Sequence, residues 1–586
     1  MAIAITLVVL LAFLVGYRFY ASWIGRRIYD DQEDLITPAY ALEDGRDFVP
    51  TDKHILFGHH FTSIAGAAPI IGPCVAAYWG WLPALVWVVL GTLFMGAVHD
   101  FGALVVSIRE RGRSIADIAG KVVSERVRIM FLSFVLVLSW LVLAVFAMAI
   151  AGLFVAIPTS VWPVNIGIVV ALGIGVLIYR MKVGALLPSL VALVLLYVFV
   201  WYGAAHPVDL TIATESGGLG WTRAEASFAW ILALFGYSAV ASLLPVWLLL
   251  QPRDFVNSHQ LVVGLGLIFL GLFVANPVID APMFRASDDG APSIFPLLFV
   301  TVACGAISGF HGLVSSGTTS KQIKKLSQAR LIGYGSMLGE GTLALAATMA
   351  AVAGIGLVTA CTLPGQGVVS DLSWSVYYDT WAHAGANKAT AFVLGGGAFL
   401  ESLGIGSSVA RTLMAVLVIS FASTTLDTAT RIERMIIAEL GTALRVKWLT
   451  NPYLATFVAV VPAILLATYT VEDPASGETT EAGWVLWPIF GASNQMIAAL
   501  TLMILALYFW QRRRPVLPLV LPMMFVTVIS LVSLVMRTRS FLAAGNWPLC
   551  GLSALLLSMI VWMLAEGALM YRAAKRARQQ GPPASE

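Results

Sequence analysis

Apolar runs of about 20 residues recur from Ala2 to Met570, and this repetition constrains the possible fold more than any other feature. Each run is long enough to cross the roughly 30 Å hydrocarbon core of a bilayer as an α-helix. Only 11% of the 586 residues are charged, whereas about a quarter is usual in soluble domains. The pattern therefore predicts an all-α polytopic membrane protein of about 15 transmembrane helices.

The predicted helices lie near 3–23, 58–79, 82–108, 129–157, 162–180, 186–204, 227–250, 259–276, 295–320, 331–358, 405–428, 452–470, 484–511, 516–536 and 547–570. Lysine and arginine concentrate in loops on the cytoplasmic side of a membrane. With the N-terminus outside and alternating spans, the inner loops receive Arg253 and the basic clusters at 109–128, 321–330 and 431–447. We therefore predict a multi-pass protein of the bacterial inner membrane, N-terminus outside and C-terminus cytoplasmic, with lipid and not nucleic acid around it.

The outer loop 359–404 is unusually long for a connection between membrane helices. Four aromatic residues lie within it: Trp374, Tyr377, Tyr378 and Trp381. Their amphipathic rings are typical of a segment at the headgroup level. Residues 389–400 are apolar but too few to span the bilayer, so we predict a re-entrant or membrane-surface helix there.

The second predicted helix carries four disruptive residues within eight positions: Gly66, Pro69, Gly72 and Pro73. Proline lacks an amide hydrogen and clashes with the carbonyl four residues earlier, so we expect a break near mid-membrane. Broken backbone inside a bilayer is tolerated where protein buries it or where it lines a wet cavity. A simple kink packed by small residues is the alternative. The nearby hydroxyl of Ser63 favours a substrate site, which we place at Ser63, Ala65, Gly66 and Ala67.

The seventh predicted helix appears as a second interrupted span, from Phe235-Gly-Tyr-Ser238 to Leu244-Pro245, which makes Tyr237 and Ser238 candidate substrate ligands. Interruptions in the first helix of two inverted repeats mark the binding site of many secondary transporters. This plan resembles the amino acid–polyamine–organocation transporters. It predicts a LeuT-like 5+5 inverted repeat with an added N-terminal helix and extra C-terminal helices. The predicted divisions are an N-terminal helix and cytoplasmic loop (1–57), a first repeat (58–204), an outer loop (205–226), a second repeat (227–430) and C-terminal accessory helices (431–586).

Ionisable residues inside membrane helices are costly and are therefore functional candidates. His59 and His60 lie at the inner start of the second predicted helix, and His99 and Asp100 lie near the middle of the third. Glu340 lies within the tenth. Interfacial polarity is the alternative explanation for the first two histidines. Because histidine changes charge near neutral pH, this group suits coupling to a proton.

The ninth predicted helix contains His311, a candidate substrate ligand, and ends with Ser315 and Ser316. Adjacent hydroxyls suit a sodium ion, or they form a small-residue packing face. We favour the proton as the coupling ion, because an aspartate beside a histidine at mid-membrane is costly without a relay role. Arg411 pairs with Glu401, clamps a substrate carboxylate or extends outward. The four cysteines form no C-x-x-C pair, so we expect no disulfide framework, metal site or other cofactor.

Four long strings make the chain resemble the carbon starvation protein A family, also called the peptide transporter carbon starvation family. They are TDKHILFGHHFTSIAGAAPIIGP (51–73), GAVHDF (96–101), ACGAISGFHG (303–312) and SFASTTLDTATR (420–431). The resemblance covers residues 1 to about 450 and is weaker over the last three helices. The candidate residues of the second, third and ninth helices fall inside these strings, whereas Arg411 and Glu401 do not.

The resemblance implies import of small peptides, or of a small carboxylate such as pyruvate, driven by an ion gradient and induced by nutrient limitation. An ion or solute channel and a transporter that also senses nutrients are the alternatives. An enzyme is disfavoured because no H-E-x-x-H or G-x-S-x-G motif occurs. A primary pump is disfavoured because the chain has no G-x-x-x-x-G-K-[ST] phosphate loop.

Overall fold

The computed structural model describes all residues except 214–217, 286–291, 364–366, 387–388, 473–478, 482–484, 486 and 580–586. Within the described residues, twelve helices are long and apolar enough to cross a membrane. They are α1 (Ala2–Tyr29), α4 (Trp81–Arg109), α6 (Glu125–Ala156), α7 (Pro158–Tyr179), α8 (Leu186–Ala205), α9 (Arg223–Leu243), α10 (Leu250–Ala275), α14 (Leu326–Leu357), α16 (Ser407–Ala443), α18 (Ile489–Gln511), α19 (Leu517–Ala543) and α20 (Trp547–Arg576). A short helix, α5 (Ile115–Val122), joins α4 to α6.

The break predicted in the second membrane segment is present. α2 (Lys53–Ile64) and α3 (Ala68–Trp79) form one apolar unit that is bent by 46°. Ala65 leaves the helical conformation with ψ at 60°, and Pro69 lies in the first turn of α3, where its missing amide hydrogen is tolerated. The structure thus confirms that this segment is two half-helices.

Two other predicted membrane segments are helical but short or divided. α17 (Pro452–Thr468) has 17 residues. The ninth segment consists of α11 (Ile294–Thr301), α12 (Ala303–Ala306) and α13 (Gly309–Gly317), with extended backbone at Ile307 and Ser308. The all-α polytopic membrane fold is confirmed, with 12 spanning helices among the described residues, or 13 if the bent pair is one span.

The seventh predicted segment, by contrast, is not interrupted. α9 runs unbroken through Tyr237 and Ser238 and ends at Leu243, and Pro245 lies in the turn beyond it. A proline beyond the last turn removes no helical hydrogen bond, and Gly236 inside the helix costs only about 1 kcal/mol relative to alanine. The predicted break at Tyr237 and Ser238 is therefore wrong. One of the two interruptions that suggested the LeuT-like 5+5 repeat is thus absent from α9, and the repeat stays a prediction.

Two helices extend well beyond their predicted boundaries. α10 begins at Leu250 rather than at 259, and α16 continues to Ala443 rather than ending at 428. Arg253 and Arg431, which we expected in inner loops, are consequently helical and buried. Their charges are compensated by Asp427 and Asp47, which lie in distant parts of the sequence. The hydropathy of a single segment contains no information on such partners.

Burial divides the helices into a centre and a periphery. The most apolar stretch of α18 is 100% buried, that of α14 89% and that of α16 83%. The corresponding values for α1 and α20 are 22% and 28%. A helix with a buried perimeter packs against protein on all sides, whereas one with an exposed apolar face is suited to lipid. Polar side chains on the central helices are therefore shielded from both lipid and water.

The long loop 359–404 folds against the end of α3. It begins with an antiparallel hairpin of β1 (Ala360–Leu363) and β2 (Gly367–Ser370). Trp374 Nε1 then donates to the carbonyl of Ala77 (3.1 Å), and the Tyr378 hydroxyl donates to that of Cys74 (2.7 Å). Both aromatic side chains are buried, so these two residues cover the last turn of α3.

The apolar stretch at the end of that loop is α15 (Thr390–Glu401), which is buried from Ala391 to Leu400 and packs against α16. This burial fits a re-entrant helix and not a helix on the membrane surface. A second antiparallel hairpin, β3 (Thr470–Glu472) and β4 (Thr479–Glu481), follows α17.

Candidate functional site

The break between α2 and α3 packs against α16 with no room for a side chain. A Cβ atom on Gly66 would lie 2.7 Å from Thr425 Oγ1 and 3.2 Å from Phe146 Cζ. Thr425 donates a hydrogen bond to the carbonyl of Ser63 in the last turn of α2 (3.2 Å). The four predicted substrate residues of this segment are all buried at the break: Ser63, Ala65, Gly66 and Ala67.

The last two turns of α2 present polar side chains to α10 and α16. His59 Nδ1 lies 2.5 Å from Asp254 Oδ2, and both side chains are buried. Ser63 Oγ donates to the same carboxylate oxygen at 3.5 Å and lies 3.2 Å from Thr428 Oγ1. Asp254, which the sequence analysis did not select, is thus the buried carboxylate nearest the break among the contacts of α2.

A buried ion pair lies beside this cluster. Arg253 Nη1 donates to the carboxylate of Asp427 and to the hydroxyl of Tyr237, and that hydroxyl donates to Asp427 Oδ2 at 2.7 Å. The Arg253 guanidinium also lies 5.6 Å from the centre of the Tyr237 ring, within the range of a cation–π contact. The structure therefore shows the predicted residue Tyr237 in contact with two charged residues that the sequence analysis did not select as site residues.

A second buried cluster connects α4, α13 and α14. Asp100 is held by two histidines, His99 Nδ1 at 2.7 Å and His311 Nδ1 at 2.9 Å, one on each carboxylate oxygen. His311 Nε2 lies 3.3 Å from Glu340 Oε2, and the Glu340 carboxylate has no hydrogen bond within the part of the chain that is described. Three of the predicted residues and Glu340 thus meet although they come from distant segments of the sequence.

α2 lies between the two clusters. His59 binds Asp254 of α10, whereas the neighbouring His60 has its Nδ1 2.8 Å from Thr319 Oγ1, just after α13. The second ring nitrogen, Nε2, of both histidines is buried without a hydrogen-bond partner among the described residues. Interfacial polarity does not explain these histidines, because both are fully buried.

The predicted hydroxyl pair is engaged in packing contacts. Ser316 Oγ donates to the Gly312 carbonyl within its own helix (2.7 Å) and accepts from the Ile115 amide (3.2 Å). Ser315 Oγ donates to the backbone carbonyl of Asp100 at 3.4 Å. Ser238 likewise donates to a carbonyl of its own helix, that of Phe235 (3.2 Å). Their roles in binding an ion or substrate stay predictions.

Arg411 and Glu401 lie outside both clusters. Arg411 Nε is 4.0 Å from Glu401 Oε1, and each side chain is more than a third exposed. Arg411 also donates to the carbonyl of Ala360 in β1 (3.3 Å). Of the alternatives for Arg411, the structure shows the pairing with Glu401, at the outer edge of the helix bundle.

The sequence analysis missed Arg253, Asp254 and Asp427 for two different reasons. Arg253 and Asp254 lie just before the strongly apolar part of α10, and two adjacent charged residues at that position predict a loop. Asp427 lies within the string at 420–431 that carries the family resemblance, and its position inside a run of small and hydroxyl residues was a usable signal.

An interrupted helix at the centre of a membrane bundle, lined by buried carboxylates, histidines and an arginine, defines the class of this protein as a secondary membrane transporter. The family model described as carbon starvation protein CstA matches residues 1–533. The chain belongs to this family, as the four strings in its sequence had suggested.

Three relatives illustrate the breadth of that family. Peptide transporter CstA of Mycobacterium tuberculosis is 31% identical over 538 residues, which cover 84% of this chain and 69% of the relative. Peptide transporter CstA of Escherichia coli is 30% identical over 554 residues, covering 86% and 76%. The pyruvate/proton symporter BtsT of Escherichia coli is 31% identical over 552 residues, covering 84% and 75%.

Among solved structures, the manganese transporter of Eremococcus coleocola in complex with an aromatic bis-isothiourea substituted compound has a TM-score of 0.47. It is 10% identical in sequence, and the match covers 91% of this chain and 99% of the manganese transporter.

Proposed function

We propose that this protein imports a small carboxylate or a small peptide together with protons. The observation that carries the proposal is the pair of buried clusters on the two sides of α2. One pairs His59 with Asp254, and the other pairs His311 with Asp100. Carboxylates and histidines in contact can exchange a proton near neutral pH. Inside a membrane protein, such groups are costly unless they serve a relay or a ligand. One relative is named as a pyruvate/proton symporter and others as peptide transporters.

The hydrogen bonds of the Ser315 and Ser316 hydroxyls favour the proton over sodium as the coupling ion. A sodium site needs several oxygen ligands that converge on one point. The hydroxyls of Ser315 and Ser316 instead donate to backbone carbonyls of two different helices. Asp100, by contrast, is bound on both oxygens by histidines, an arrangement in which uptake of one proton changes the charge balance of the whole cluster.

We propose that the solute binds beside the break, where helix α16 would have to move to admit it. Two half-helices that end inside a bundle leave backbone groups without helical partners, and transporters commonly use such groups to bind ions and anionic substrates. Ser63 lies at the end of α2, and Gly66 brings the backbone against Thr425 of α16. The proposal assigns the protein a transport cycle and no enzymatic reaction.

Uptake by purified protein in proteoliposomes tests this function. With an imposed pH gradient and no sodium, wild-type protein should accumulate radiolabelled pyruvate or dialanine above equilibrium. Asp100→Asn should abolish accumulation, because it removes the charge that the two histidines share. Glu566→Gln, on the peripheral helix α20, is the control and should behave as wild type. Accumulation that requires sodium and ignores the pH gradient would contradict proton coupling. Equilibration without accumulation would indicate a channel.

A further inference from the structure

Arg253 and Asp427 are each next in sequence to a residue that contacts Ser63 of the broken helix. Asp254, next to Arg253 in α10, accepts a hydrogen bond from Ser63 at the end of α2. Thr428, next to Asp427 in α16, lies 3.2 Å from the same serine. The ion pair is therefore a neighbour of the break, and its side chains are only 5% and 2% exposed.

The guanidinium of Arg253 is only partly used. Its hydrogen bonds to Asp427 and Tyr237 both leave from Nη1, so neither of them uses Nε or Nη2. Arginine recognises a carboxylate best through two parallel N–H···O bonds from one edge of the guanidinium. Asp427 Oδ1 is likewise buried without a described partner. The edge formed by Nε and Nη2 takes part in neither of these bonds, and it is the edge that could meet a second carboxylate.

Stability is a poor explanation for this pair. Removing two charges from water costs about as much as their attraction returns, so apolar side chains would serve a core at least as well. Ionisable groups inside membrane proteins are for this reason candidates for ligand binding or proton transfer. The pair also lies outside the Asp100 cluster, which is built from α4, α13 and α14.

We propose that Arg253 binds the carboxylate of the transported solute, and that Asp427 releases Arg253 by taking up the co-transported proton. This inference rests on the proposed proton-coupled transport. It adds to that function the residue that binds the free carboxylate of the solute and the step at which proton and solute are coupled.

Charge balance gives the reason for the coupling. In the unloaded site the charges of Arg253 and Asp427 cancel. A second carboxylate would leave a net negative charge buried away from water, at a high cost in free energy. Protonation of Asp427 restores neutrality, because Arg253 then pairs with the solute while the neutral acid keeps its contact with Tyr237. One proton enters with each carboxylate and leaves Asp427 when the original ion pair forms again.

Few other ionisable groups face Asp427. Arg253 of α10 and Tyr237 of α9 contact it, and Asp254 of α10 acts on it through space. Asp254 is in turn bound by His59 of α2. α6, which packs along α16, carries its Asp, Glu, Lys and Arg residues in its first turn only: Glu125, Arg126 and Arg128. Arg431, one turn further along α16, is engaged with Asp47.

The carboxylate has two possible sources, a 2-oxo acid such as pyruvate or the C-terminus of a peptide, because both present the same two oxygens. Uptake of radiolabelled pyruvate and of radiolabelled dialanine into proteoliposomes identifies the source. Competition by pyruvamide and by dialanine amide then measures the preference for a carboxylate. The wild-type protein should prefer the acid over its amide for whichever solute it transports. Transport of neither solute, or equal competition by acid and amide, would overturn the inference.

Variants at Arg253 test the recognition step. Arg253→Gln should reduce the preference for the acid over the amide by roughly 10- to 100-fold, which is the range of a charge-assisted hydrogen bond. Arg253→Lys keeps the charge without the planar fork and should give an intermediate preference, and it covers the case that the glutamine variant does not fold. An undiminished preference in both folded variants would overturn the assignment.

Asp427→Asn tests the coupling step, because asparagine resembles the protonated acid but cannot release a proton. This variant should still exchange labelled for unlabelled solute across the membrane. It should lose accumulation driven by a pH gradient, and its affinity should no longer improve as the pH falls. Glu433→Gln, a buried carboxylate on the same helix, is the matched control and should keep the wild-type pH dependence. Loss of that dependence in the control, or its persistence in Asp427→Asn, would contradict the proposed exchange.

The two proposals fail in different ways. Wild-type protein that ignores a pH gradient but loses its carboxylate preference in Arg253→Gln would refute proton coupling and leave carboxylate recognition standing. Wild-type protein that is driven by the pH gradient and loses that response in Asp100→Asn but not in Asp427→Asn would refute only the exchange at Arg253.

Discussion

Gly66 lies where the second membrane unit changes from one half-helix to the next. The nearest atoms to an added Cβ are Thr425 Oγ1 at 2.7 Å and Phe146 Cζ at 3.2 Å. Contacts this short force neighbouring side chains or the backbone to shift. The absence of a side chain therefore lets α16 approach the break, and it brings Thr425 within reach of the Ser63 carbonyl.

Replacing Gly66 with leucine should abolish transport while the protein still folds and inserts. Overpacking costs about 1–3 kcal/mol, which a large bundle can tolerate, but the shift would separate the break from α16. Uptake in proteoliposomes and the size-exclusion profile in detergent are the measurements. Gly152→Leu is the control, because an added Cβ at Gly152 has no atom within 4 Å. Normal uptake by the Gly66 variant would remove the break from the transport path.

At the scale of elements, the loop between α1 and α2 is fastened to α16 by Arg431. Arg431 Nη2 donates to Asp47 Oδ1 at 2.7 Å, and its Nη1 donates to the Leu244 carbonyl, just beyond α9, at 2.6 Å. Arg431 is fully buried. Burial acts to raise the pKa of Asp47, but the charge and hydrogen bonds of Arg431 outweigh it and hold the pKa below its ordinary value of 3.8. One arginine of α16 therefore joins this loop to the end of α9.

Asp47→Asn should lower the free energy of unfolding by about 1–3 kcal/mol, because it leaves a buried guanidinium without its counter-charge. A carboxyl whose pKa is lowered on folding contributes stability above the unfolded pKa, and that contribution is lost as the pH falls through the folded pKa. The difference between variant and wild type should therefore be present at neutral pH and vanish in strong acid. Thermal unfolding in detergent measures both, with Asp34→Asn, an exposed residue of the same loop, as control. Equal melting temperatures at neutral pH would show that the pair does not fasten the loop.

At the scale of the whole molecule, the membrane orientation stays a prediction from the distribution of basic residues. The clusters at 109–128, 321–330 and 431–447 would all face the cytoplasm if the N-terminus lies outside. An odd number of crossings is needed to bring the C-terminus inside. The bent pair of α2 and α3, the divided segment of α11, α12 and α13, and the short helix α17 decide whether the count is odd.

Reporter fusions should settle this count. A reporter after the last helix, α20, should read cytoplasmic, and one inserted between α17 and α18 should read periplasmic. Alkaline phosphatase and green fluorescent protein fusions give opposite signals for the two compartments, so each site carries its own control. A periplasmic signal at the C-terminus would show that one predicted segment does not cross the membrane.

The sequence alone determined the class of fold, because spans of about 20 apolar residues are a local property that any bilayer protein must satisfy. It also located the break at Gly66 and Pro69, since glycine and proline act on their own backbone. Likewise it identified His59, His60, His99 and Asp100 as unusual, because an ionisable residue in an apolar run stands out without knowledge of its neighbours.

Only the tertiary structure decided which of these residues meet. The contact of Asp100 with His311 joins residues 211 positions apart, and that of Arg253 with Asp427 joins residues 174 apart. A prediction from hydropathy places Arg253 in a loop, because a hydropathy scale includes the cost of burying its charge but not the compensating ion pair with Asp427. Proline at 245 misled for a related reason. It holds Leu244 in an extended conformation and so ends α9, and only the structure shows that the helix ends there and is not interrupted within the span. Local chemistry therefore fixes what each segment can be, whereas pairing between distant segments fixes where the site lies.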